Sequence, residues 1–336
     1  MNTRFPFCAF PSGWFRVAYS DEILPGRVKP LYYFGKDLVL FRTEDGKPQV
    51  FDAHCPHLGA HLGYGGQVEG NIIRCPFHGW CFDNKGQCVE IPYSNKVPPK
   101  AKISSLPVCE FNGLIMVYYH PFGVAPSWQI PELPEWNSQD WTPFQRRSWK
   151  IRTHPQEMAE NAMDTAHMLH LHGESFRALE KAEFDINGTV LVHRLCPKYR
   201  LSIFRKLGID AEACVQINSY GLGYQASYTQ VKAVIEFHSL TLFMLTPIDE
   251  QFVDVHVLVS TKKVFNKIIT YVLRSKSMAE VSCNLQQDIP IWENKIYRSQ
   301  PLLSEVDGPI TQYRRWTQQF YSDIPLNSRE SLALPR

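Results

Sequence analysis

CPHLGAHLGYGGQVEGNIIRCPFHGW, residues 55–80, sets a Cys-x-His pair and a Cys-x-x-His pair at the two ends of one stretch. Cys55 and His57 are separated from Cys75 and His78 by the seventeen residues Leu58 to Arg74. Short apolar runs surround them (LYYF, DLVLFR, NIIRC, GLIMVYYH), broken by Gly, Pro, Asn and Asp. That rhythm predicts a small all-β unit over residues 14–120, with both pairs on its loops.

Two loops that each offer one thiolate and one imidazole match a Rieske [2Fe–2S] cluster, in which two histidines replace two cysteines on one iron. Cys55 and Cys75 would hold the inner iron, His57 and His78 the outer one. Glycines 59, 63, 65, 66, 70 and 79 suit loops whose N–H groups approach sulfides closely. The competing Cys2His2 zinc site fits poorly, because a one-residue Cys-x-His gap is tighter than zinc spacing. His54 and His61 read as ordinary histidines, Cys81 and Cys88 as packed thiols.

The whole chain has 336 residues, enough for about two domains. With 44% hydrophobic and 20% charged residues it can bury ordinary cores, and a net charge of +2 argues against nucleic acid as a partner. The first residues carry no apolar signal core, and no run approaches the ~18 apolar residues of a bilayer span. Nine scattered cysteines suit a reducing, cytoplasmic setting. A Pro- and Trp-rich connector over 121–148 leads to a second domain, 149–336, that mixes strand-like runs with helices and predicts an α+β class.

ENAMDTAHMLHLH, residues 160–172, gathers three histidines and two carboxylates on one predicted helix. Mononuclear non-haem iron takes two imidazoles and one carboxylate, leaving positions open for O2. Straight-helix spacing favours His167 with His170, three residues and ~60° apart. His167 and His172, roughly 140° apart, chelate together only if the helix distorts or ends. Spacing leaves both open.

The run Asn161-x-x-Asp164-x-x-His167-x4-His172 resembles the iron motif of Rieske non-haem iron oxygenases, whose two outer histidines are the ligands. CNLQQDIPIWENK resembles the segment that brings the third ligand, which points to Asp288, with Glu280, Glu293 and Asp307 as neighbours. Pro290 is expected to kink that helix, read from about Lys263 to Asn294. Asn161 and Asp164 take the catalytic positions that are not ligands. The resemblance also implies that Asp164 orients His167 and reaches His78 of a neighbouring copy.

Respiratory Rieske proteins carry two further cysteines where this chain has Ala60 and Phe77, and a serine where it has Trp80. Fewer hydrogen bonds to the sulfurs favour the low end of the Rieske range, near about −150 mV. CPHLGA-x4-GGQV, CPFHGW, IPYSNKVP, CEFNGLIMVYYH, IPELPEW and DGPITQYRRW are most similar to the cholesterol 7-desaturases and 3-ketosteroid 9α-hydroxylases. That resemblance implies a β-rich Rieske domain, a helix-grip (START-like) catalytic domain with an antiparallel sheet, and head-to-tail homotrimers. It further implies one cluster and one mononuclear Fe(II) per chain, a hydrophobic sterol or steroid, and O2.

No dinucleotide fingerprint or plant-type ferredoxin spacing is present, so electrons are expected from a separate NAD(P)H-dependent flavin reductase, with or without a ferredoxin. Sterol C-4 methyl oxidation and O-demethylation of an aromatic acid fit the same outline; a pocket lined by Arg or Lys would favour the latter. VKAVIEFHSLTLFML and TYVLR offer apolar side chains for a pocket, and TKKVFNKIITYVLRSK a basic amphipathic helix for peripheral membrane contact.

Overall fold

The protein is seen here as a computed structural model, which describes residues 4–173, 176–199, 211–232, 236–305 and 307–321. It is an α+β chain in two compact units. One comprises Ser12–Glu132 with Thr246–Glu250, the other Met1–Pro11, Leu133–Leu245 and Gln251–Arg336.

The first unit is three antiparallel sheets. Gly13–Tyr19 and Val108–Phe111 flank Leu114–Tyr119; Val28–Tyr33, Lys36–Arg42, Pro48–Asp52 and Ser105–Leu106 form the second. The third, Gln67–Glu69, Ile72–Arg74, Cys81–Phe82 and Cys88–Glu90, brackets the second Cys/His loop. Val39, Phe41, Phe51, Leu62, Ile73 and Phe82 are fully buried together, so both metal-binding motifs rest on one apolar base.

The second unit is built on a seven-stranded sheet. Its order is Gln145–Ile151, Val253–Thr261, Glu236–Pro247, Tyr224–Lys232, Ala211–Tyr220, Val190–Tyr199 and Phe176–Asn187. The last five pair antiparallel as a meander. Two short helices precede it, α1 (Pro155–Glu160) and α2 (Thr165–His170); α3 (Lys267–Asn294) and α4 (Ile310–Thr317) follow. Met278, Leu285 and Trp292 of α3 recur every seven residues and pack with Val255, Val257 and Val259 of the sheet.

Helix boundaries correct the sequence reading in two places. Residues 160–172 are not one helix: α1 ends at Glu160 and α2 begins at Thr165. The restart is built by Asp164, whose extended backbone (φ −83°, ψ 96°) and Oδ1, accepting the His167 N–H at 3.0 Å, make it an N-cap. α3 starts at Lys267, capped by Asn266, and runs through Pro290 to Asn294. Near the C-terminus, Gly308 (φ +76°) lies so close to the turn between α1 and α2 that a Cβ would stand 2.3 Å from the Met163 carbonyl oxygen.

Candidate metal centres

Cys-Pro-His-Leu-Gly-Ala and Cys-Pro-Phe-His-Gly-Trp fold as two copies of one turn. In the first, Cys55 N–H donates to Ala60 O at 2.9 Å and Gly59 N–H to Cys55 O at 2.9 Å. In the second, Cys75 N–H donates to Trp80 O at 2.8 Å and Gly79 N–H to Cys75 O at 3.1 Å. Both turns need left-handed backbone at the fifth position, φ +77° at Gly59 and +71° at Gly79. At Gly79 a Cβ would also meet Pro92 at 2.9 Å.

The two turns bring the four side chains together. Cys55 and Cys75 are buried, and the His57 and His78 rings lie 4.6 Å apart between centroids. Trp80 stacks on His57 at 4.7 Å and 5°, and its Nε1–H donates to Tyr93 Oη at 2.8 Å. Where respiratory Rieske proteins carry a serine, this chain therefore has a wall that orients an imidazole.

Burial pushes the Cys55 thiol up to about 11, so a thiolate there needs a cation beside it. His57 Nδ1 is buried without a hydrogen-bond partner. An orphan of that kind costs ~1–3 kcal/mol, a penalty that coordination removes. A thiolate-and-imidazole donor set on matched turns fits a [2Fe–2S] group.

The second cluster of ligand types is His167, His172 and Asp288, whose ligating atoms all lie within 4.8 Å of one another. His172 stands beyond the end of α2, and that exit from the helix brings it beside His167, with ring centroids 5.2 Å apart. His170 sits on the exposed side of α2, away from the group, so the straight-helix pairing with His167 is not formed. Asp288 is buried on α3, its Oδ1 3.4 Å from His172 Nε2 and without a hydrogen bond. Glu280, Glu293 and Asp307 do not join the three.

Each imidazole is fixed through Nδ1. His172 Nδ1 lies 2.7 Å from Gln287 Oε1, and His167 Nδ1 lies 2.6 Å from the Asp164 carbonyl oxygen. Those acceptors place the ring protons on Nδ1 and leave both Nε2 atoms free to ligate. The His167 ring thus bonds the Asp164 backbone, whereas the carboxylate caps the helix and stays 3.9 Å from Nδ1. Burial lowers the His167 pKa, keeping the neutral, ligating form, against opposing Asp288 and Asp164 charges. Burial would also lower His172, but the facing Asp288 carboxylate and the Gln287 acceptor reverse the sign and raise it. Two imidazoles and a carboxylate fit a mononuclear iron with open positions. Gln287, which stands before Asp288 in the CNLQQDIPIWENK segment, was given no role by the sequence.

Two adjoining cavities of about 190 Å³ each run between α3 and the sheet, sharing Met168, Ile217, Ser227, Phe243, Val281 and Asn284. The one at the triad also touches Asn161, His167, His172 and Asp288. No Lys or Arg lines either among the described residues, and Asp288 and Glu280 are their acids. From VKAVIEFHSLTLFML the walls take Val231, Phe237, Ser239, Thr241, Phe243 and Leu245, while residues 233–235 lie outside the described residues. TYVLR lends none; its Leu273 packs with Ala213, Val231 and Phe237.

Residues 13–107 match the Rieske [2Fe-2S] domain, and residues 117–321 match the 3-ketosteroid 9alpha-hydroxylase C-terminal domain. The chain is 32% identical to cholesterol 7-desaturase nvd of Xenopus laevis, over 94% of this chain and 72% of that one. It is 30% identical to the oxygenase component of 3-ketosteroid-9-alpha-monooxygenase of Rhodococcus rhodochrous, over 94% and 82%. Among solved structures, dicamba monooxygenase bound to dicamba superposes with a TM-score of 0.72 at 19% identity, covering 97% of this chain and 100% of that one. NdmA of Pseudomonas putida CBB5 gives 0.70 at 18%, over 91% and 88%. At these identities the two structures speak for the fold alone.

Proposed function

The chain belongs to the Rieske oxygenases, and from that premise we propose that it hydroxylates or desaturates a sterol or steroid at an unactivated C–H. It uses one [2Fe–2S] cluster, one mononuclear iron and a separate reductase. When bound, the cluster supplies single electrons and the iron supplies O2 activation.

The protein's own part is to hold, orient and exclude. Cys55 and Cys75 hold one iron of the cluster and His57 and His78 the other, with Trp80 fixing the His57 plane. His167, His172 and Asp288 hold the mononuclear iron, and Asn161 faces substrate from the cavity wall. Asp164 keeps Oδ2 clear of the cap it forms with Oδ1, and its side chain is 35% exposed. That oxygen suits the link to His78 of a neighbouring copy in a trimer.

One observation carries the substrate class. From Asp288 the two adjoining cavities follow Asn284, Val281, Glu280 and Ser277 along α3, eleven residues or about 16 Å of helix. A slot of that length, lined without Lys or Arg among the described residues, suits a long neutral lipid better than a small aromatic anion. Turnover of a sterol panel with O2 and a surrogate NAD(P)H-dependent flavin reductase, products assigned by mass spectrometry and NMR, is the test. Conversion of a methoxybenzoate with no sterol turned over would overturn it; oxidation confined to C-4 methyl groups would move the site of attack.

No described helix is long and apolar enough to cross a membrane. Peripheral contact from the cytoplasmic side has support at the start of α3, where Phe265, Ile268 and Tyr271 are 89%, 74% and 61% exposed. Exposed Lys262, Lys263 and Lys267 beside them suit an anionic lipid surface.

A further inference from the structure

We propose that Cys196 and Cys214 form a reversible disulfide across the catalytic sheet, a redox modification site separate from both metal centres. Leu195 pairs with Val215 and Lys198 with Glu212, which sets Cys196 directly opposite Cys214 on neighbouring antiparallel strands. Opposed residues in such a pair have Cα atoms ~4.5–5.5 Å apart, inside the range a disulfide spans. The two Sγ atoms are 2.7 Å apart. Pro197 has no N–H to give the ladder, so the backbone pairing is short of a donor beside the thiols.

Access favours the reaction as well. Cys214 is exposed and Cys196 half-buried, both on the wall of a larger cavity of about 570 Å³ that reaches Glu135, Trp141 and Tyr228. Cys81 and Cys88 also lie on adjacent strands, but both are buried and each thiol donates to a carbonyl, Gly79 O at 3.3 Å and Glu90 O at 3.5 Å.

The chemistry closes with hydrogen peroxide or a small-molecule disulfide as oxidant. With peroxide, both thiols lose hydrogen, an S–S bond forms, the O–O bond breaks and two waters leave. With glutathione disulfide, exchange through a mixed disulfide releases two reduced glutathiones. The bond would clamp the strands on either side of residues 200–210. Leu195, Pro197, Ala213 and Val215, next to the thiols in sequence, line the candidate substrate cavity, so the clamp would fix part of its wall.

The test treats the metal-loaded protein with glutathione disulfide, alkylates remaining thiols and maps peptides by mass spectrometry, with the visible spectrum monitoring the cluster. A Cys196–Cys214 cross-link is expected, while exposed, solitary Cys283 takes glutathione. Oxidised wild type should melt at a higher temperature, reversed by dithiothreitol, and Cys214→Ser should show neither cross-link nor shift. Glutathione on Cys214 with Cys196 still alkylatable, or both thiols unreacted while Cys283 is modified, would overturn the proposal.

Discussion

Gln287 Oε1 accepts the Nδ1–H of His172 at 2.7 Å, so the residue beside Asp288 orients the ring that Asp288 faces. One turn of α3 thus provides both a proposed ligand and the support of another. Gln287→Leu is expected to lower iron occupancy or activity by about 10–100-fold. Gln287→Glu, which keeps an acceptor there, should restore most of it. Iron per chain and kcat/KM, measured together, would show this; full occupancy and activity in the Leu variant would count against the assignment.

Asp164 combines a helix cap with a proposed electronic role, and two substitutions separate them. Asn keeps a cap acceptor, so Asp164→Asn should melt like wild type, load both metals and reoxidise its reduced cluster far more slowly in rapid mixing with substrate and O2. Asp164→Ala should in addition lose about 1 kcal/mol of stability with the cap. Wild-type reoxidation in the Asn variant would leave Asp164 as a cap alone.

The histidines should separate under replacement. His172→Ala is expected to empty the mononuclear site and preserve the cluster spectrum, whereas His170→Ala, on the exposed side of α2, should retain iron. Iron analysis beside the visible spectrum reads both; the opposite pattern would reinstate straight-helix spacing.

Sequence made the cluster turns legible because each is local: Cys55 to Ala60 and Cys75 to Trp80 carry their geometry in Cys-Pro and a glycine four residues on. From spacing alone the iron site was legible only as residue types, and the resemblance was needed to point to His167, His172 and Asp288. Helical spacing could not choose between His170 and His172, because a cap formed by Asp164 decides where α2 starts and hence where the chain leaves it. The Nδ1 acceptors were hidden for another reason. One is a backbone carbonyl and the other a side chain 115 positions away, brought in by the folded sheet.

His154 predicts an acid limit. Its Nδ1 accepts the Gln156 N–H at 3.1 Å, its Nε2–H donates to Cys8 O at 3.2 Å, and burial lowers its pKa from 6.5 to about 3. The folded protein then binds fewer protons than the unfolded chain between those values. Stability from this group is complete above about pH 6.5 and falls with acid at about 1.4 kcal/mol per pH unit. Between pH 7 and 5 the loss is roughly 2 kcal/mol, and His154→Asn, still able to cap α1, should show a flatter denaturation profile.

At the proposed lipid surface, Phe265→Ser and Ile268→Ser should each weaken co-sedimentation with anionic vesicles by about tenfold, since each removes a large apolar anchor. Added salt should weaken wild-type binding through Lys262, Lys263 and Lys267. Unchanged partitioning of the variants would remove the patch from the account.

The contact of Gly308 with the Met163 carbonyl, together with the placement of Asp288, has a consequence for biosynthesis. Asp288 is made 116 residues after His172, and the loop that presses on the α1–α2 turn comes later still. At about 5–20 residues per second, the two halves of the iron site leave the ribosome on the order of ten seconds apart. The cluster turns, finished by Trp80, have no such wait. Nascent chains stalled beyond the first unit should already accept a cluster, and chains stalled short of Asp288 should hold no mononuclear iron.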